Sequence, residues 1–441
     1  MQKRNIQWLY GELPGLVAED ILSAESAERL KAHYGPAPGL SGTRLVLIFF
    51  GILGGLLVGS GIILVFAYNW DDFGRPTRAL LSMTPLVIGQ ILVGWTLYCR
   101  RTSAPWREGS ASFLAMGVGA SIALIGQTYH IPGDMAGFLF CWVLLALPLV
   151  YLLRSVMVAV LYMIGTTAWA AASQDQNGHA LLYFPLLSGV LPFLGYQWRH
   201  HSGRPGTGFL LWVLCACLSA GLGIVSERNL PGLWIVTYSS LFALFCVVGL
   251  GKGSQVRGQP FSTIGRIGAV ALSLLLTFEW CWRRIGFHHY RQPQSVYGEW
   301  MGIQDFLVVM ILLAITTVLT VGAFRQKNFS PLPWVAAPLL ALLGYCIASI
   351  ENQAYIPSLF FNIYLFLLGI VVLTKGVKSE RLMIANGGMG ILALLFTARF
   401  FDGDMSILFR GVAFILIGLL FLGTNLWLAR RFSAQGVEEV S

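Results

Sequence analysis

Residues 136–172 read AGFLFCWVLLALPLVYLL, then Arg154-Ser155, then VMVAVLYMIGTTAWAAA. Each apolar run approaches the roughly 20 residues needed to cross a bilayer. Arg154 is the one charge in the stretch. A helix on the surface of a soluble domain would show a polar face, and neither run does. The two are read as back-to-back membrane spans, 136–153 and 155–172, turning at Arg154-Ser155.

The rest of the chain repeats this pattern. Its 441 residues are 56% hydrophobic and 11% charged, where soluble proteins carry about 25% charge. Mean hydropathy is +0.70. So few charges cannot build a soluble surface, and such apolar content does not fit a disordered chain. The seven cysteines are an odd number and mostly fall inside apolar runs, which excludes a secreted disulfide scaffold. Further spans are expected at 45–68, 79–99, 110–129, 180–197, 208–226, 231–250, 262–281, 302–323, 331–350, 355–374, 381–400 and 405–428. The fold class is therefore all-α, a polytopic membrane protein of about fourteen helices with a small N-terminal helical head. The head and its linker take residues 1–43, the membrane domain 44–430 and a tail 431–441. The first long apolar run starts near residue 45, so no cleavable signal peptide is expected.

Charge sets the orientation. With the N-terminus inside and the spans alternating, only Arg75, Arg78, Arg228, Arg283, Arg284, Arg291, Arg399 and Arg410 of the 29 basic residues fall outside. That is a positive-inside pattern, with both termini cytoplasmic. The net charge of +9 then reflects topology and contact with anionic lipid. No soluble domain is large enough to present a nucleic-acid footprint, so nucleic acid is not among the expected partners.

In the head, Ile6, Leu9, Leu13, Leu16 and Val17 recur at helical spacing, and Pro14-Gly15 is expected to split the run into two short helices. Ser23 reads as an N-cap with Glu25 in the first turn, and Ala27, Leu30 and Tyr34 as one helix face. A piece this small needs a surface or a partner to lean on.

Several spans end alike on the outer side. The ends read Tyr68-Asn69-Trp70-Asp71-Asp72, Gln127-Thr128-Tyr129-His130-Ile131-Pro132-Gly133-Asp134, Glu351-Asn352-Gln353 and Arg399-Phe400-Phe401-Asp402-Gly403-Asp404. Interfacial aromatics and solvated acids explain part of this. Polar groups within or beside a span point to a site or a buried pair. Asn69, Asp71, Gln127, His130, Asp134, Glu351, Arg399 and Asp402 are the candidate substrate-binding residues. Arg399 or Arg410 paired with Asp402 or Asp404 is the structural reading of the last group. His130 and Asp134 would share a face only if a helix continued, and Pro132-Gly133 indicates a turn instead.

His200-His201 and His288-His289 lack Cys or Glu at zinc spacing, so neither a metal nor another cofactor is expected. Gly51, Gly55 and Gly59, then Gly117 and Gly119, then Gly387, Gly388 and Gly390 read as close-packing strips. Gln90, Asn362, Asn386 and Asn425 are intramembrane amides suited to bonds between helices. Pro85, Pro148, Pro185 and Pro192 can kink their spans. Cys215 and Cys217 point to different sides of one helix, which disfavours redox chemistry. No nucleotide-binding, hydrolase or metalloprotease motif occurs in a workable context.

Trp8-Leu9 followed by Leu22 to Tyr34, the Gly-rich run ending Ala67-Tyr68-Asn69-Trp70, and Gly126 to Asp134 together resemble the bacterial predicted membrane proteins of the domain of unknown function 2157 family. Arg399-Phe400-Phe401-Asp402, Arg410-Gly411 and Asn425 are similar to the C-terminal region of such proteins. The resemblance implies a bacterial inner-membrane protein with a cytoplasmic head, and it transfers no catalytic residues. Three functions are compatible with these readings. One is a carrier or flippase-like protein for a small or amphipathic solute. Another is a membrane sensor or scaffold whose head docks a protein partner. The last is an integral-membrane enzyme acting on lipid or glycan through Asp71, Asp72, His130, Asp134, Asp402 or Asp404. Membrane lipids are the expected surroundings in each.

Overall fold

The computed structural model describes residues 3–34, 72–174, 180–225, 232–251, 259–283, 285, 296–351, 353–402 and scattered positions between 412 and 423. The regular elements among them are all helical. The chain divides into two compact units, Met1–Leu80 and Leu81–Ser441.

In the first unit α1 (Lys3–Ala18) and α2 (Ala24–Tyr34) pack on each other. The split expected at Pro14-Gly15 does not occur, and α1 runs through Pro14. An internal proline forfeits one backbone bond and strains the turn, at about 3 kcal/mol. Burial of Leu13 just before it, and of Ala27 on α2, opposes that cost. The Tyr10 hydroxyl also donates to the Lys31 carbonyl at 3.1 Å, tying the two helices. Ser23 does cap α2, its Oγ accepting from the Ser26 N–H at 3.2 Å.

The following helices are α3 (Arg75–Cys99), α4 (Ala104–Thr128), α5 (Met135–Leu153), α6 (Val156–Gln174), α7 (Tyr183–Ser188), α8 (Leu191–His201), α9 (Pro205–Val225), α10 (Trp234–Leu250), α11 (Pro260–Leu275), α12 (Val296–Arg325), α13 (Leu332–Glu351), α14 (Tyr355–Lys378) and α15 (Leu382–Asp402). Nine of the described helices are long and apolar enough to cross a membrane, namely α3 to α6, α9 and α12 to α15. The expected spans 45–68 and 405–428 lie outside the described residues, the second but for a few positions.

Two expected spans are corrected. Residues 180–197 form no continuous helix but a 3-10 turn at Ala180–Leu182, then α7, then α8. Pro192 has no N–H to give the Ser188 carbonyl, so the ladder stops there and restarts with proline in the first turn of α8. The span 262–281 ends early, at Leu275, and a 3-10 turn at Glu279–Cys281 follows. Glu279 thereby leaves the apolar helix.

Both interruptions expose carbonyls that lipid cannot satisfy. At the first, the Tyr162 hydroxyl donates to the Leu186 carbonyl at 2.6 Å and the Tyr151 hydroxyl to the Gly189 carbonyl. At the second, Thr277 Oγ1 donates to Leu274 O at 2.6 Å and Trp282 Nε1 to Leu276 O at 2.8 Å. Asn362 Nδ2 reaches across from α14 to Thr277 O at 3.2 Å. Asn362 thus bonds between elements, as its position in a span suggests.

The buried side chains of the second unit form two large clusters. One spans α3 to α10 with Phe261, and the other α10 to α15. Helix α10 contributes to both, through Leu241 and Phe245 on one side and Ile235, Val236 and Cys246 on the other, and α11 does so through Phe261 and Ala269. The 17 residues of α10 span about 25 Å, short of a roughly 30 Å hydrocarbon core. Because α10 is enclosed by other helices, lipid does not feel the mismatch.

Close approach is built with glycine. A Cβ on Gly376 would lie 2.2 Å from the Ala385 nitrogen, and one on Gly388 would lie 2.3 Å from the Leu373 nitrogen, so α14 and α15 meet backbone to backbone. Gly117 sits likewise against the Pro85 carbonyl at 3.0 Å. Gly387 and Gly390 face open space, so in that strip only Gly388 serves packing. The variant Gly376→Val should destabilise the protein by about 2 kcal/mol or more, because backbone and not a flexible side chain must yield. Thermal unfolding in detergent should show a lower midpoint than for Gly387→Ala.

Candidate functional site

The α4–α5 connection is shaped by its ends. Helix α4 stops with His130 in the left-handed region, φ +50°. The Ile131 N–H reaches back to the Gly126 carbonyl at 3.0 Å, and the His130 N–H to Gln127 O at 3.4 Å. This is the helix-ending motif usually built on glycine, here carrying histidine at the strained position. Four residues on, Asp134 is the N-cap of α5, its Oδ1 accepting from the Gly137 N–H at 2.8 Å. The helix does not continue through Pro132-Gly133, and the turn itself falls earlier than expected, at Tyr129 and His130. The cap uses Oδ1 only.

Beside this turn α3, α4 and α5 enclose an open groove of about 970 Å³. Its wall is nearly all apolar, including Leu86 and Met83 on α3, Val118 and Ile122 on α4, and Phe138 and Leu145 on α5. Gln90, Ser121 and Asp134 are the polar exceptions besides Cys141. The Ser121 hydroxyl is engaged, donating to the Ser82 carbonyl at 2.7 Å and joining α4 to α3. The Gln90 amide and Asp134 Oδ2 are the groups left to meet an occupant. Ligand pockets run from about 300 to 1,000 Å³, so this groove is large.

The groove walls are held in register from the far end. Glu108, in the second turn of α4, accepts from the Ser155 hydroxyl at 2.5 Å and from the N–H groups of Val156 and Met157, each at 2.9 Å. Ser155 Oγ accepts in turn from the Val158 N–H at 3.2 Å. The carboxylate of one helix therefore caps the positive N-terminus of another. Trp142 of α5 lies between α4 and α6, donating to Ala115 O at 2.7 Å, with Gly119 and Gly165 making room for its ring. The Glu108 clasp went unread in the sequence. Ser155 reads only as an N-cap before an apolar run, and nothing local to it points to Glu108.

Residues 14–159 match the family of predicted membrane proteins DUF2157. The matched segment includes the groove, the His130–Asp134 turn and the Glu108 clasp. The DUF2157 match bears out the resemblance over the N-terminal part of the chain, and the chain is a membrane protein in contact with lipid. No curated protein and no solved structure matches the chain.

The other candidate residues are placed differently. Gln127 and His130 are exposed beside the groove but do not line it. Arg399 lies in the second cluster's region, where its Nη2 donates to Thr277 Oγ1 at 3.1 Å and its guanidinium lies 4.5 Å from the Phe278 ring centroid. A cation there faces the negative end of α11. Its expected pairing with Asp404 or Arg410's with either acid falls outside the described residues, as do Asn69 and Asp71. Glu351 and Asp402 end α13 and α15, and their side chains are outside the description. Among the described residues, no group of His, Cys, Asp and Glu is arranged to hold a metal ion. All seven cysteines are free, with Cys215 and Cys217 buried.

Two substitutions separate structural from functional roles here. Glu108→Ala should cost about 2–3 kcal/mol, since it strands charge-assisted bonds at the α6 N-terminus. Chemical denaturation should show the loss. His130→Gly should leave stability unchanged or slightly raised in the same measurement, because glycine accepts the positive φ without strain.

Proposed function

We propose that the protein is a carrier or flippase-like protein for an amphipathic solute, which it takes up in the α3–α4–α5 groove. The groove itself carries this reading. It is an apolar channel open at the side, with an amide, Gln90, among its apolar wall residues and a carboxylate, Asp134, at the connection. An acyl or other apolar chain fits the wall, and its polar end finds Asp134 and Gln90. Interrupted helices such as α7–α8 and α11 recur in transport proteins, where they let a bundle rearrange without stranding backbone groups.

The reading extends to parts that lie beyond the described residues. Segments 45–68 and 405–428 are two further spans, with 1–43 a cytoplasmic head and 431–441 a cytoplasmic tail in the bacterial inner membrane. Asn69, Asp71, Gln127, His130, Asp134, Glu351, Arg399 and Asp402 then line the outer face. Gathering of Gln127, His130 and Asp134 at one turn beside the groove supports this assignment for those three.

The test uses a plug. Gly126 lines the groove, and a Cβ there meets nothing within 4 Å. Protein purified in native nanodiscs should carry a retained amphiphile visible by mass spectrometry, and Gly126→Phe should lose it while melting at the same temperature. Asp134→Ser keeps a capping oxygen but removes the charge, so it should keep stability within about 0.5 kcal/mol and weaken retention. In proteoliposomes the wild type should speed the crossing of a fluorescent amphiphile, and Gly126→Phe should not. Equal retention and crossing by wild type and plugged variant would refute the proposal.

A further inference from the structure

The opposite end of the same helices carries a second feature, independent of the groove. The N-terminal turns of α4 and α6 meet there through Glu108, and the α5–α6 turn meets α8 through Arg154, whose guanidinium lies 5.5 Å from the Tyr196 ring centroid. Tyr196 also stacks on His200, with centroids 4.7 Å apart at 28°. His200 Nδ1 lies 3.1 Å from the Tyr196 carbonyl, which leaves Nε2 facing outward. Tyr196, Arg199 and His200 share one face of α8 by their i, i+3, i+4 spacing. A turn follows directly, its Arg204 N–H donating to the His201 carbonyl at 3.0 Å.

Arg154, Arg199, His200 and Arg204 are all exposed. Among the described residues none of the three arginines has a carboxylate within 4.0 Å, the ion pairs there being Arg29–Glu25 and Arg283–Glu279. The nearby acid, Glu108, is already occupied by Ser155, Val156 and Met157. His201 Nδ1 is buried without a partner, and burial, then Arg204 and His200, push its pKa below the usual histidine range.

Depth in the membrane comes from the aromatics at this end. Trp106, in the first turn of α4, makes an edge contact with Trp95 of α3 at 4.7 Å, and both are exposed, as are Tyr98 and Tyr151. Exposed Trp and Tyr mark the headgroup level of a bilayer. Unpaired guanidiniums held at that level, between helix ends, suit a phosphodiester. We propose that the α5–α6 turn, the end of α8 and the start of α9 form a binding site for the headgroup of an anionic phospholipid. Tyr196 is its platform, holding Arg154 and His200 from different elements, while Arg199 and Arg204 complete the donor set.

The test takes the full-length protein in a neutral detergent and adds phosphatidylglycerol, phosphatidylcholine or inorganic phosphate. Phosphatidylglycerol should raise the melting temperature and the other two should not. Combined Arg154→Gln, Arg199→Gln and Arg204→Gln should weaken phosphatidylglycerol binding on the order of 100-fold, roughly five-fold per arginine. Should that variant fold poorly, Arg199→Gln alone should show the five-fold loss, and wild-type binding should weaken as salt rises. Equal stabilisation by phosphatidylcholine would show an unspecific lipid effect and overturn the proposal. Stabilisation matched by inorganic phosphate would assign the site to a soluble anion instead. Binding that survives the arginine substitutions unchanged would refute it.

Discussion

In a bilayer, a backbone carbonyl released from a helix has no water to turn to, and this constraint organises the membrane domain. Among the described residues the helical ladder breaks inside apolar sequence after Ser188 and after Leu275. Each break is surrounded by donors brought from other elements or from just downstream. Tyr151 and Tyr162 serve the first, and Thr277, Trp282 and Asn362 the second. An unsatisfied group in such surroundings costs several kcal/mol. Some polar side chains of the bundle serve this repair, many serine and threonine hydroxyls bond to carbonyls of their own helix, and those facing the groove form a separate set.

Gln90 and Asp134 belong to that set. The first sits on an apolar wall, and the second spends only one oxygen on its cap. Around them the structure is stiff. Ser121 fixes α4 to α3, Trp142 fills the space between α4 and α6, and Glu108 locks the start of α6 to α4. The groove is thus an opening between firmly joined helices. Arg399, by contrast, has a structural berth on the turn after α11.

Apolar runs were legible because hydrophobic length alone decides them. Even the two-residue separation at Arg154-Ser155 could be read, since a charge there interrupts an otherwise continuous run. Local chemistry was legible where it depends on adjacent residues, as with the Ser23 cap and the helix end ahead of Pro132-Gly133. What could not be read depends on distant partners. Pro14 looked like a breaker because the burial of Leu13 beside it is invisible in one dimension. Residues 180–197 looked continuous because hydropathy ignores the missing N–H of Pro192. Glu108 carries no signal of its own in the sequence, because its role needs α6 beside it. Among the candidate residues, the sequence located the His130–Asp134 turn but not the groove, which three helices make jointly.

The two-residue turn between α5 and α6 also bears on how the protein is made. With Arg154 in a left-handed conformation and Ser155 already capping the next helix, the two helices form a tight hairpin. Such a hairpin suits insertion of both helices as one unit. A lone arginine dragged to the bilayer centre costs about 2.5–3.5 kcal/mol, so Arg154 holds the hairpin's tip at one face. The glycine at 165 leaves room for the tryptophan at 142, so the two arms also touch each other directly.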